Sequence, residues 1–300
     1  MPLEIRPLHQ TLAREVVGMQ LWQKQDDATI AALRELYANY GVLVFRRQVL
    51  GEGELAAACA LLGTLERTVR SDWASPDVPE VTVLSNLKDG FGRPIGGLGD
   101  GELQWHSDQS YMLKPATGAA LYAVELPRAG GETFWVDLRA AYAGLPRSLR
   151  AKITGKRAVF DYAKRLAGYG RDSDQNISEE ARRQTPPVTH ALVRAHPATG
   201  DRSLYLDSTT TVGIDYMDTA SGLALLDEVY ESATRDAFVY AHQWQVGDLV
   251  VWDNGFTMHR RTPFDAGARR LMKRMTMVLD PYRHVLPDGR LAKSEEGMPI

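Results

Sequence analysis

From about residue 81 the chain becomes a run of short apolar segments separated by glycine, proline and polar turns, and few architectures accept that pattern. Segments 81–84, 118–125, 133–136, 192–194, 204–206, 249–252 and 270–279 carry the β-branched, aromatic or alternating character of strands. Two helical stretches interrupt them, 138–143 and 223–232. Many strands with few helices predict a mainly β fold, a sandwich or jelly roll with helices packed outside. The first third alternates instead. Asp26-Asp27 can cap a helix that carries Ile30, Leu33, Leu36 and Tyr37 on one face and ends at Gly41. Residues 42–45 then read as a buried strand and 53–62 as a second helix, closed by Gly63.

Neither a repeat nor a linker divides the 300 residues, so one domain spanning 1–300 is the expectation. Segment 88–101 is glycine-rich and is expected to be flexible. Segment 161–185 is polar and is expected to form a lid-like excursion. The net charge of −3 gives no reason to propose nucleic acid or an anionic membrane as partner. No apolar run reaches the length of a membrane span, and the N-terminus lacks the layout of a secretory signal. The single cysteine, Cys59, excludes a disulfide framework and any multi-cysteine metal site, and its alanine-rich surroundings suit a buried thiol. A cytoplasmic setting is the expectation.

Directly after the glycine-rich segment stands Trp105-His106-Ser107-Asp108. A His-x-Asp pair can bring both side chains to one metal when the backbone is extended, because residues i and i+2 then project the same way. Segment 103–111 suits a strand end. A second histidine, His259, lies far downstream beyond the turn at Asp253-Asn254-Gly255. Two histidines and a carboxylate form the facial set that holds non-haem Fe(II) and leaves the opposite face open. With seven histidines one such pair is common by chance, and a hydrogen-bonded or surface histidine is the alternative.

After His259 comes the strand-like 270–279, in which Arg270, Met272, Arg274 and Thr276 share one face. If that face points inward, two guanidinium groups are buried with no acidic residue near in sequence, which implies an anionic ligand. On a solvated face they would need none.

WHSD at 105–108, GGETFW at 130–135, GDLVVWDN at 247–254, His259, Arg270 and Arg274 together resemble the taurine/2,4-dichlorophenoxyacetate (TauD/TfdA) dioxygenase family. LVFRRQ at 43–48 and HPATGDRSLYL at 196–206 extend the resemblance over nearly the whole chain. It implies a double-stranded β-helix and an oxygenase dependent on Fe(II), 2-oxoglutarate and O2. His106, Asp108 and His259 match the iron ligands. Arg270 and Thr133 match the pair that binds the distal carboxylate of 2-oxoglutarate. Arg274 matches a position that holds either the substrate's anionic group or 2-oxoglutarate. Asp108 fills a position that halogenating relatives replace with a small residue, so oxidation rather than halogenation is implied. Family members are commonly dimers or tetramers, and a homo-oligomer is the expectation here.

The implied reaction is hydroxylation of a C–H bond in a small organic anion, with succinate and CO2 as coproducts. The alternative is a tailoring oxygenase that desaturates, epoxidises or oxidatively decarboxylates a secondary metabolite. An inert jelly-roll binding protein is the third reading, and the complete ligand set with both arginines argues against it. Glu102 replaces the substrate-contacting asparagine of the taurine enzyme, and 66–73 lacks its sulfonate-binding residues, which disfavours taurine. Candidate substrate contacts are Arg274, Asn86, Glu102, Gln104, Tyr111 and Thr209.

Overall fold

In the computed structural model, which describes residues 3–67, 71–167, 183, 185–197, 199–286 and 288–292, two sheets face each other and share their side chains. The larger runs Glu4–Pro7, Arg14–Val17, Val42–Phe45, Leu249–Asp253, Gly118–Glu125, Leu271–Val278, Val81–Ser85, Gly97–Leu98, with Thr64–Glu66 beside Leu271–Val278. The smaller runs Val239–His242, Thr133–Asp137, Thr257–Arg261, Leu103–His106. All pairs in the smaller sheet are antiparallel, and two in the larger are parallel, Arg14–Val17 with Val42–Phe45 and the edge pair Val81–Ser85 with Gly97–Leu98. This is the expected jelly roll, a double-stranded β-helix.

Period-two alternation sorts the large sheet's side chains into two layers. Val42, Val44, Ala119, Leu121, Val250, Trp252 and Met272 point inward and meet Trp135 and Tyr240 of the smaller sheet. Leu43, Phe45, Ala120, Tyr122, Leu249, Val251, Met275 and Met277 point outward. There they bury Leu33 and Tyr37 of helix Asp27–Tyr40 and Leu55 and Cys59 of helix Glu52–Ala60. Cys59 is fully buried, and its thiol is pushed up to about 12 by that burial, which fits an inert structural role. A third cluster covers the smaller sheet's outer face. Val136 and Met258 pack there against helices Leu138–Ala143, Arg147–Ile153 and Thr219–Ala233 and a further small sheet. Among the described residues no helix is long and apolar enough to cross a membrane.

The first helix begins and ends as its sequence dictates. Asp26 accepts from the Thr29 amide at 2.7 Å, and Gly41 closes the last turn with φ of 67°. Elsewhere boundaries move. The strand expected at 204–206 is Arg202–Leu204, which pairs with Val193–Ala195 as a hairpin, and Tyr205 and Leu206 continue as buried chain. The strand expected at 270–279 is Leu271–Val278, so Arg270 lies just before it. The late helix starts earlier than expected, at Thr219, because the Asp218 carboxylate caps it through the Ser221 amide at 2.9 Å. Of the excursion at 161–185, helix Tyr162–Ala167 is seen, while 168–182 and 184 lie outside the described residues.

A Cβ added at Gly41 would lie 2.4 Å from the Phe256 ring, on a backbone that side-chain-bearing residues rarely adopt. Gly41→Ala is therefore expected to destabilise the fold by more than about 1 kcal/mol. Urea denaturation followed by circular dichroism checks this, and an unchanged midpoint contradicts the packing.

Candidate active site

Strand register builds the site. In the smaller sheet His259 pairs directly with His106 on one side and with Trp135 on the other. The two imidazole rings stand 4.1 Å apart, both buried. The strand ends at His106, and Asp108 opens the turn that follows. Asp207, fully buried, grips this turn by accepting from the Ser107 amide at 3.3 Å and the Ser110 hydroxyl at 2.6 Å. The result brings Asp108 Oδ1 to 4.0 Å from His106 Nε2 and 3.9 Å from His259 Nε2. One donor atom from each residue lies within 4.8 Å of the others. Donors sharing a first-row metal at about 2.1 Å each sit on the order of 3–4 Å apart, so the set fits one ion after slight contraction. Two imidazoles and one carboxylate suit Fe(II).

The neighbours orient these ligands. The His106 Nδ1–H donates to the Gln104 carbonyl at 2.7 Å, which leaves Nε2 with its lone pair toward the site. Asn254 holds Asp108 twice, donating from Nδ2 to Oδ2 at 3.3 Å and accepting from the Asp108 amide at 3.5 Å. Asn254 is itself set by the Trp252 indole N–H at 3.0 Å. His259 Nδ1 finds no hydrogen-bond partner among the described residues, and its ring is held by packing on Trp252, 4.9 Å away.

Charge follows from this geometry. Burial acts to raise the Asp108 carboxyl, yet Arg274 at 2.9 Å, with His259, His106 and Arg165, holds it well below the usual carboxylate range. Burial and then Arg165 lower His106; burial and then His106 lower His259 further. The trio at neutral pH is thus one carboxylate and two neutral imidazoles, the protonation a metal needs.

The arginines separate in role. An acid remote in sequence, Asp108, supplies Arg274 with the anion that local sequence lacked. Arg270 is buried, and among the described residues no carboxylate pairs with it. Burial and then Arg261 push its guanidinium down to about 9, which keeps it a cation at neutral pH. Gly131, at φ of 74°, lets the backbone pass close by: a Cβ there would lie 3.3 Å from Arg270 Nε. Two residues on, the buried Thr133 hydroxyl accepts from the Trp244 indole N–H at 3.0 Å, so its own O–H remains able to donate.

The other candidates lie as follows. Asn86 is occupied with backbone, accepting from the Arg270 amide at 3.0 Å and donating to the Ala268 carbonyl at 2.7 Å. It sets the approach of Arg270. Glu102 is exposed and 4.0 Å from Arg260, and Gln104 is exposed, contributing its carbonyl to His106. Thr209 bonds Asp207 through both amide and hydroxyl at 2.7 Å. Tyr111 packs against Tyr162 with tilted rings, 4.3 Å between centroids. Sequence reading gave no role to Asp207, Trp244 or Arg165, and took Asn254 only as part of a turn and of the GDLVVWDN block. Asp207 sits one residue beyond a block that carried the resemblance, and Arg165 within a stretch read only as polar.

The chain matches the family model described as "Taurine catabolism dioxygenase TauD, TfdA family" over residues 4–276. It is 34% identical over 289 residues to an alpha-ketoglutarate-dependent 2,4-dichlorophenoxyacetate dioxygenase of Cupriavidus pinatubonensis, covering 93% of this chain and 99% of that protein. It is 29% identical over 280 residues to the pentalenolactone F synthase of Streptomyces avermitilis, covering 88% and 90%. Its structure is similar to the crystal structure of AAD-2 in complex with Mn(II) and N-oxalylglycine, with a TM-score of 0.77 and 30% identity over 93% of this chain and 98% of that one.

Calorimetric titration with Mn(II) should find one site per chain. His106→Ala and Asp108→Ala should each weaken it at least about 100-fold, and Asn254→Ala about tenfold. Because both imidazoles titrate below 6.5, proton competition should set in only under that pH, leaving affinity level above it. Undiminished affinity in His106→Ala, or a decline already under way above pH 6.5, contradicts the site.

Proposed function

The chain belongs to the TauD, TfdA dioxygenase family, and on that premise we propose that His106, Asp108 and His259 hold the iron at which it oxidises a C–H bond of a small organic anion. It is an Fe(II)- and 2-oxoglutarate-dependent dioxygenase, with O2 as the other cosubstrate. Iron held there would activate O2, the oxidant, whose four electrons come from oxidative decarboxylation of 2-oxoglutarate to succinate and CO2 and from oxidation of the substrate.

The observation that carries the reading is the pairing of a two-histidine, one-carboxylate set with Arg270, a buried cation without a carboxylate partner among the described residues. A buried cation needs an anion, and the guanidinium fork suits the distal carboxylate of 2-oxoglutarate. Thr133 donates its hydroxyl to the same carboxylate, since Trp244 already occupies the hydroxyl oxygen. Arg274 keeps Asp108 ionised and oriented. Trp135, Trp252 and Phe264 line the surroundings with apolar surface, which keeps water from the reacting atoms.

Hydroxylation of an aryloxy or similar carboxylate is the proposed reaction, from the likeness to the dichlorophenoxyacetate enzyme. The likeness to the pentalenolactone F synthase favours, as second reading, a tailoring oxygenase that desaturates, epoxidises or oxidatively decarboxylates. Product mass separates the two. A cytoplasmic homo-oligomer, dimer or tetramer, completes the proposal, and light scattering on the eluted protein tests its size.

Loaded with Fe(II) and 2-oxoglutarate and then exposed to O2, the enzyme should release succinate faster when an aryloxyacetate is present. Arg270→Ala should raise the KM for 2-oxoglutarate at least about tenfold, and Trp244→Phe a few-fold, with Mn(II) affinity unchanged. A fully iron-loaded enzyme that no carboxylic acid in a broad panel stimulates would overturn the assignment.

A further inference from the structure

We propose that His284, which ligates nothing itself, is a positioning residue for the metal centre: through the buried Asp253 carboxylate it fixes Asn254, the residue that holds Asp108. The proposal rests on the reading of His106, Asp108 and His259 as the metal site.

Asn254 sits in the turn between strands Leu249–Asp253 and Thr257–Arg261, where the chain crosses from the larger sheet to the smaller. Its side chain grips Asp108 only while this turn keeps its shape. Asp253 sets that shape twice over. Its Oδ1 accepts from the Gly255 amide at 2.6 Å, and its carbonyl accepts from the Thr257 hydroxyl at 2.6 Å. The main chain of Asn254 is clamped as well. Its amide donates to the Thr117 carbonyl at 2.9 Å, and its carbonyl accepts from the Ser107 hydroxyl at 2.9 Å. Ser107 stands between the ligands His106 and Asp108, so the turn meets the ligand segment through main chain and side chain together.

Asp253 is fully buried, and a buried carboxylate needs donors for both oxygens. Its Oδ2 accepts from the His284 Nδ1–H at 2.7 Å, and among the described residues no other side chain donates to it. His284 is buried too. It reaches this place because the chain turns at Asp280, just beyond strand Leu271–Val278, where the His284 amide donates to the Asp280 carbonyl at 3.0 Å. Tyr37 packs on its ring, 5.2 Å between centroids. The following residue presses on the same turn: a Cβ at Gly255 would run into the Val285 carbonyl. A continuous line thus leads from His284 through Asp253 and Asn254 to Asp108, each link a hydrogen bond or a peptide bond. Partners behind a metal ligand tune affinity by fixing its orientation, and His284 does so from two residues further back.

The test is a double-mutant cycle read by Mn(II) binding rather than turnover, since a residue acting through Asn254 loses its effect once Asn254 is removed. Wild type, His284→Phe, Asn254→Ala and the pair are each titrated calorimetrically with Mn(II). His284→Phe should weaken binding about three- to tenfold in the wild-type background, and less than about twofold where Asn254 is already alanine. His284→Asn, which keeps an N–H donor at that place, should bind Mn(II) within about twofold of wild type. Should His284→Phe not fold, Asp253→Asn takes its place in the cycle with the same expectations. An equal loss in the two backgrounds overturns the proposal, because a general loosening of the fold does not depend on Asn254. Unchanged affinity in His284→Phe overturns it as well, as does His284→Asn as weak as His284→Phe. In all three cases Mn(II) binding by the wild type leaves the metal site standing. Wild-type protein that binds no Mn(II) overturns the site and the proposal together.

Discussion

The cross-strand pairing of His106 with His259 is the constraint on which the rest of the site depends. In an antiparallel ladder, directly opposed residues project to the same face at short range, and a one-residue slip sends every side chain to the other face. The paired strands fix that register by burying Trp135 inward and Val136 and Met258 outward, in two different cores. The metal-binding geometry is thus held by hydrophobic sorting far larger than the site itself. Asp108 cannot come from the ladder, since the strand has ended. It is placed by a turn that Asp207 and Asn254 grip from separate parts of the chain.

Electrostatics then differentiates residues that look alike in sequence. Arg270 and Arg274 share one face in the sequence pattern, yet Asp108 pairs with Arg274 while no carboxylate pairs with Arg270 among the described residues. In a buried setting a charge without a counter-charge is costly, so a site of this kind binds its anion strongly and discriminates against neutral molecules. Burial also keeps both imidazoles neutral and ready to ligate. One physical factor, exclusion of water, thereby sets the protonation of both imidazoles and lowers the Arg270 guanidinium together.

Legibility in the sequence followed locality. Helix Asp27–Tyr40 could be read because cap, apolar stripe and terminating Gly41 lie within one short segment. The strands Gly118–Glu125 and Leu249–Asp253 could be read from apolar runs. Thr257–Arg261 could not, because TMHRR reads as polar although it is mostly buried. Val239–His242 is too short for its alternation to stand out. Trp244 and Asp207 were missed because what makes them important is a hydrogen bond to a residue about a hundred positions away.

By itself the sequence determined the donor chemistry: two histidines and a carboxylate, with two arginines at strand spacing after the second histidine. It also determined the alternation that closes two sheets on each other. The tertiary structure alone decided which arginine is neutralised, how Asn254 and Asp207 hold the turn of Asp108, and how Trp244 engages the hydroxyl of Thr133. Those outcomes are set by distance through space, since Coulomb and hydrogen-bond energies depend on where distant segments meet and not on their order along the chain.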